Sequence, residues 1–103
     1  APFPFVKIIP GAVPATLPEI QAELIAFLSI DMNCVEPEIA AARYLWDKVV
    51  PGGIIILDDY GFSQHHLQKK AFDCFAAAKG ARILSLPTGQ GLIFKPLHQA
   101  PVG

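Results

Sequence analysis

At 103 residues the chain is one domain, and a chain of this size buries only about two-thirds of its unfolded surface. Its apolar share of 52% predicts a real core rather than disorder, while a formal net charge of -1 without any run of Lys or Arg gives no footprint for nucleic acid or an anionic membrane. No apolar run approaches the roughly 18 residues that span a bilayer, and Ala1-Pro2-Phe3-Pro4 has no basic region ahead of an apolar one. A soluble, cytoplasmic protein is expected.

Phe5-Val6-Lys7-Ile8-Ile9 has strand composition and is stopped by Pro10-Gly11. Thr16-Leu17-Pro18-Glu19 has the form of a capping box and predicts a brief helix. Leu24 to Ile30 is nearly all apolar, which predicts a strand covered on both faces. After the loop Asp31-Met32-Asn33-Cys34, Glu36-Pro37 opens a helix through about Val49, with Ile39, Ala42, Leu45, Trp46 and Val49 at helical spacing. Trp46 reads as core and Tyr44 as flank.

Pro51-Gly52-Gly53 is expected to end that helix and turn the chain into Ile54-Ile55-Ile56-Leu57, a fully buried central strand. This is a strand, helix, strand unit, for which a parallel crossover is expected. From about Ser63 to Lys79 a second long helix is predicted, with Leu67, Ala71, Cys74, Phe75 and Ala78 inward and Gly80 as its stop. Arg82 to Leu86 and Gly91 to Lys95 are two strands joined by Pro87-Thr88-Gly89-Gln90, too short for a crossover helix, so they form an antiparallel hairpin. Beyond Pro96 a loose tail is expected. Cys34 and Cys74 have neither zinc nor redox spacing and read as reduced packing residues.

Both central strands end in acid: Asp31 after Ile30, and Asp58-Asp59 after Leu57. An α/β sheet binds ligands beyond the carboxyl ends of its parallel strands. Three carboxylates meeting there repel one another unless a cation joins them, and oxygen-only ligation suits Mg²⁺. Asp31, Asp58 and Asp59 are therefore candidate metal ligands. The competing structural reading is that Asp58 caps the next turn, Asp59 is solvated and Asp31 holds its own loop.

His65 and His66 are candidate proton acceptors, because an imidazole titrates near neutrality, though adjacent helical residues diverge by about 100° and only one can face the crevice. The competing reading makes them surface residues, as it does His98. The segment Pro87 to Gly91 is glycine-rich but enters a strand, so it reads as a turn and not as a phosphate cradle. An apolar strand ending in Asp-Asp also occurs in phospho-acceptor signalling domains, but there the pair follows the first strand and a later strand supplies the accepting Asp. Here that strand ends in Pro87-Thr88.

Taken together, Phe27-Leu28-Ser29-Ile30-Asp31-Met32-Asn33, the run from Trp46 to Gly61, Gln68-Lys69-Lys70-Ala71-Phe72-Asp73, and Ile83 to Ile93 resemble class I S-adenosylmethionine-dependent methyltransferases, within them the macrocin O-methyltransferase family. The resemblance runs from about Val6 to Lys95. It implies part of a Rossmann-like α/β sheet, with strands corresponding to 3, 4, 5, 7 and 6 of the family order, parallel except for the C-terminal hairpin. It also implies an S-adenosylmethionine donor, a hydroxyl acceptor on a sugar or other small molecule, and Mg²⁺ held by Asp31, Asp58 and Asp59.

Where better-known relatives carry an Asp proposed as the base, this chain has Asn33, which takes no proton at neutral pH. Either a metal lowers the pKa of the substrate hydroxyl, or His65, His66 or a site carboxylate takes over as the base. The family's donor site, a glycine-rich loop after the first strand and an acidic residue after the second, has no counterpart upstream of Val6. The resemblance thus implies the C-terminal portion of the fold, unable by itself to hold the donor tightly. It also implies a bare sheet edge, to be covered by Phe5 to Ile9 or by a second chain in a homo-oligomer. A non-catalytic α/β assembly module is the alternative.

Overall fold

The computed structural model describes residues 5–61 and 66–97. Four strands and two α-helices follow one another as β1 (Ile25–Ile30), α1 (Val35–Leu45), β2 (Val49–Leu57), α2 (His66–Ala78), β3 (Ile83–Ser85) and β4 (Gly91–Phe94), with short 3-10 turns at Leu17–Glu19 and Trp46–Lys48. They form one mixed sheet in the order β1-β2-β4-β3. β1 and β2 run parallel across the α1 crossover, and β3 and β4 form the antiparallel hairpin that the short connector requires.

Several expectations are corrected. Residues 5–9 form no strand, so the five-strand order implied by the resemblance is not realised, and among the described residues no strand pairs with the outer edge of β1. A β-prone run gains order only when another strand accepts its backbone groups. The capping box is not made. Thr16 Oγ1 donates back to the Ala12 carbonyl at 2.9 Å, and the turn at Leu17–Glu19 has no side-chain cap. Pro51-Gly52-Gly53 does not precede β2 but lies inside it. Gly52 takes φ +81°, and a register shift opposite Ile25 and Phe27 accommodates the extra residues, as a bulge does. Gly52 N–H still donates to Lys95 O at 2.8 Å, and Lys95 N–H to Gly53 O at 2.9 Å.

The sheet is covered on one face. Paired residues in adjacent strands point the same way, and the register groups Ile30, Ile55, Leu57 and Ile93 on the face that meets Ala42, Trp46, Phe72 and Phe75 of the helical layer. Trp46 meets Phe75 edge-on at 5.5 Å, and Phe75 meets Phe72 at 6.2 Å. The opposite face carries Phe27, Ile54 and Phe94 on one rung, then Ser29, Ile56, Leu92 and Leu84 on the next. Phe27 is 59% exposed, and Leu84 and Phe94 are also exposed, so β1 is not covered on both faces and β2 is not fully buried.

α2 buries Phe75 as expected, but the rest of its inward face differs. Gln68, Phe72, Phe75 and Ala76 are inward, whereas Leu67 is 60% exposed and Cys74 lies outside. Cys34 is exposed too, so neither thiol is a packing residue. The expected start of this helix at Ser63 and the tail with His98 lie outside the described residues. Among the described residues no helix is long and apolar enough to cross a membrane.

The orientation of α2 fixes a contrast between two neighbours. Phe72→Ala should cost about 3–5 kcal/mol of stability, and Leu67→Ala should stay within about 0.5 kcal/mol of wild type, both read from urea denaturation midpoints. Equal losses would mean that α2 is rotated relative to this description.

Candidate functional site

The two parallel strands deliver their carboxyl ends side by side. Ile30 pairs with Leu57, and Asp58 N–H donates to Ile30 O at 3.0 Å, which extends the ladder one step past the strands. Asp31 is thereby set beside Asp58 and Asp59, and one carboxylate oxygen from each lies within 4.8 Å of the others. The three residues singled out in the sequence converge.

Their environments differ. Asp31 is exposed. Asp58 is half-buried, and its Oδ1 accepts from Gln90 Nε2 at 2.9 Å. Asp59 is not the solvated residue of the competing reading, since its Oδ2 is buried and has no hydrogen-bond partner among the described residues. A buried carboxylate oxygen left in this state is costly unless something positive meets it. Partial desolvation, then the charges of Asp58 and Asp59, then a shared hydrogen bond with Asp58 push the Asp31 carboxyl above its ordinary value.

Glu38, in the first turn of α1, is only 3% exposed. Its Oε2 accepts from the backbone N–H of Met32 at 2.9 Å and of Asn33 at 3.1 Å, so it clamps the loop that carries Asp31. Burial pushes its carboxyl up, the two amides pull it down, and Asp59 and Asp31 push it up again. Asn33 holds φ +56°, a conformation Asn tolerates better than most residues, and serves this clamp through its backbone.

On the other side Tyr60 is buried. Its hydroxyl donates to Asp73 Oδ1, and Lys69 Nζ donates to that hydroxyl at 3.0 Å and to Asp73 Oδ2 at 3.1 Å. Burial, then the bond to Asp73, raise the Tyr60 hydroxyl against the opposing pull of Lys69, so it stays protonated.

The β3–β4 turn, which the sequence marked only as a turn, also belongs to this end of the sheet. Antiparallel pairing places Gly91 opposite Leu57. Gly61 N–H donates to Gly89 O at 2.6 Å, and a Cβ on Gly91 would come within 2.7 Å of the Tyr60 ring. His66 opens α2, is exposed and is not part of the carboxylate cluster; His65 lies outside the described residues. Glu38 and Gln90 carry no sequence signal of their own, because only the closing of the chain brings them to Asp31 and Asp58.

Oxygen-only donors with a buried, unpartnered oxygen fit a hard divalent cation. A nucleoside-type donor is not fitted in the same way. The loop opening α1, Asp31 to Cys34, holds no glycine, and Gly61, Gly89 and Gly91 close backbone against backbone and ring.

Without a divalent cation the cluster is a source of strain with a defined sign. A carboxyl whose value is higher in the fold than in the unfolded chain contributes stability below the unfolded value, and this is lost as pH rises through the folded one. Asp31→Asn should therefore raise the Tm at pH 7 in chelator, with the difference shrinking as pH falls through the carboxylate range. A Tm unchanged across that range would show that the three groups do not interact.

The model of the macrocin O-methyltransferase (TylF) family matches residues 3–83. No curated protein matches significantly. Among solved structures the fold is similar to that of apo CalS11, a TDP-rhamnose 3'-O-methyltransferase of calicheamicin biosynthesis, with a TM-score of 0.63 and 20% identity. The likeness covers 80% of this chain and 36% of that one, so the chain spans little more than a third of that enzyme's length. With a family match over most of its residues, and a mixed α/β fold like that of a solved sugar O-methyltransferase, the chain belongs to the macrocin O-methyltransferase family.

Proposed function

We propose that this chain carries the metal- and acceptor-binding portion of a cytoplasmic O-methyltransferase, with S-adenosylmethionine as methyl donor and a hydroxyl of a sugar or other small molecule as acceptor. The observation that carries the reading is the convergence of Asp31, Asp58 and Asp59, with a buried, unpartnered oxygen on Asp59, at the carboxyl ends of two parallel strands in a member of this family.

Asp31, Asp58 and Asp59 hold Mg²⁺, and Glu38 keeps the Asp31 loop in place. A divalent cation there supplies Lewis-acid polarisation and lowers the pKa of a hydroxyl brought to it. The carboxamide of Asn33 takes no proton, so the acceptor's proton passes to solvent once a metal has lowered the hydroxyl's pKa, or to a carboxylate or an imidazole. Asp31 and His66 are described candidates open to solvent. The residues present do not fit the donor, and no step involving it is assigned to them.

Calorimetry of the chain with Mg²⁺ should give a binding isotherm that Asp58→Ala abolishes. Binding unchanged in Asp58→Ala would show that the site is elsewhere. Donor binding has its own readout, since a ligand at a hundred times its Kd adds about 2.7 kcal/mol and would raise the Tm visibly. The chain alone should show no such rise with S-adenosylmethionine.

A second reading, a non-catalytic assembly module, is favoured by one observation. β1 lies at the edge of the described sheet beside a largely apolar, uncovered face. Two chains joining at that edge would pair the outer backbone groups of β1. Size-exclusion chromatography should then show a dimer or larger species that persists at low concentration, and a clean monomer at high concentration would count against it.

A further inference from the structure

Gln90 donates to a carboxylate of the cluster from outside it, and its own placement is tightly determined. Its backbone cannot drift. The preceding Gly89 carbonyl accepts from Gly61 N–H, and Gln90's own carbonyl accepts from Leu86 N–H at 2.8 Å. The following Gly91 lies against the Tyr60 ring, and Tyr60 is tied through Asp73 and Lys69 to α2. Only the side-chain torsions remain, and the carboxamide is held at both ends. Thr88 Oγ1 donates to Oε1 at 3.1 Å, while Nε2 donates to Asp58 Oδ1 at 2.9 Å. Reversing the amide would set its oxygen against the Asp58 carboxylate, so Asp58 selects the orientation and the Thr88 hydroxyl, able to donate or accept, holds the other end in place.

We propose that Gln90 is a positioning residue of the cation site, acting through Asp58, and that Thr88 orients Gln90 for that purpose. The inference rests on the metal reading above. A neutral amide suits the role. It occupies one Asp58 oxygen and fixes the rotation of the carboxylate without adding charge. A Lys or Arg there would neutralise the cluster and displace the cation, and a Glu would add to the repulsion. Mg²⁺ requires near-ideal octahedral geometry, whereas Ca²⁺ accepts more ligands in looser arrangements. A carboxylate freed to rotate should therefore harm Mg²⁺ more than Ca²⁺.

The test is calorimetric titration of the full chain with Mg²⁺ and with Ca²⁺, alongside thermal denaturation without metal. Gln90→Met keeps the volume and loses the donor. It should weaken Mg²⁺ by about tenfold, the scale on which partners of metal ligands act, lower the Mg²⁺ to Ca²⁺ preference and leave the metal-free Tm near wild type. Thr88→Val, at an exposed position that does not touch Asp58, should weaken Mg²⁺ to a smaller extent, and Thr88→Ser should restore it. Wild-type affinity and preference in Gln90→Met, or equal losses for both ions, would overturn the positioning role while leaving the metal site standing. No Mg²⁺ binding by the wild-type chain would overturn both.

Discussion

The parallel pairing of β1 with β2 is the constraint on which the rest depends. A hydrogen bond that continues the ladder from Ile30 to Asp58 fixes the relative height of the two strand ends, so three acids arrive together. Like charges within 4.8 Å of one another oppose that arrangement, and the apolar layer opposes its undoing. Ile30, Ile55, Leu57, Trp46, Phe72 and Phe75 are all buried on the helical face, and the register cannot slip without moving them. The fold thus spends apolar burial on holding an unfavourable electrostatic arrangement, as binding sites commonly do.

What supports the site comes from three directions. α1 contributes Glu38 beneath the Asp31 loop, the β3–β4 turn contributes Gln90 beside Asp58, and α2 contributes Asp73 and Lys69 behind Tyr60. Gly61 and Gly91 allow the turn to close this near, because a Cβ on either would strike the Gly89 backbone or the Tyr60 ring. The residue types at these points are those the contacts demand. They are small where backbones meet, neutral amide where a carboxylate must be steadied, and acidic where two backbone amides need an acceptor.

Much of this was legible in the sequence for physical reasons. Three β-branched residues followed by Leu57 read as a strand, the four-residue connector after Leu86 permitted only a hairpin, and acids at two strand ends marked the site. The face of α2 was not legible, because two apolar stripes one residue apart share the same spacing. The core kept Phe75 and took Phe72 beside it, which buries more area than Leu67, Cys74 or Ala78. Residues 5–9 look like a strand by composition, but composition cannot supply a partner. Gln90 and Glu38 were invisible for a related reason: a Gln in a turn and a Glu in a first helical turn have ordinary explanations until the fold brings them to a carboxylate cluster.

The uncovered face of the sheet has a consequence for how variants of this chain will behave. Exposed Phe27 and Phe94, with half-buried Ile54 between them, share one rung on the side away from the helices. Substitutions there remove little packing from the folded chain, yet they change the patch that other molecules in a concentrated solution encounter first. Charged replacements on that rung would appear as gains in yield and colloidal behaviour rather than as losses of stability. The same replacements on the opposite face, one residue along each strand, would unfold the protein. Solubility and stability are thus encoded on alternate residues of the same strands.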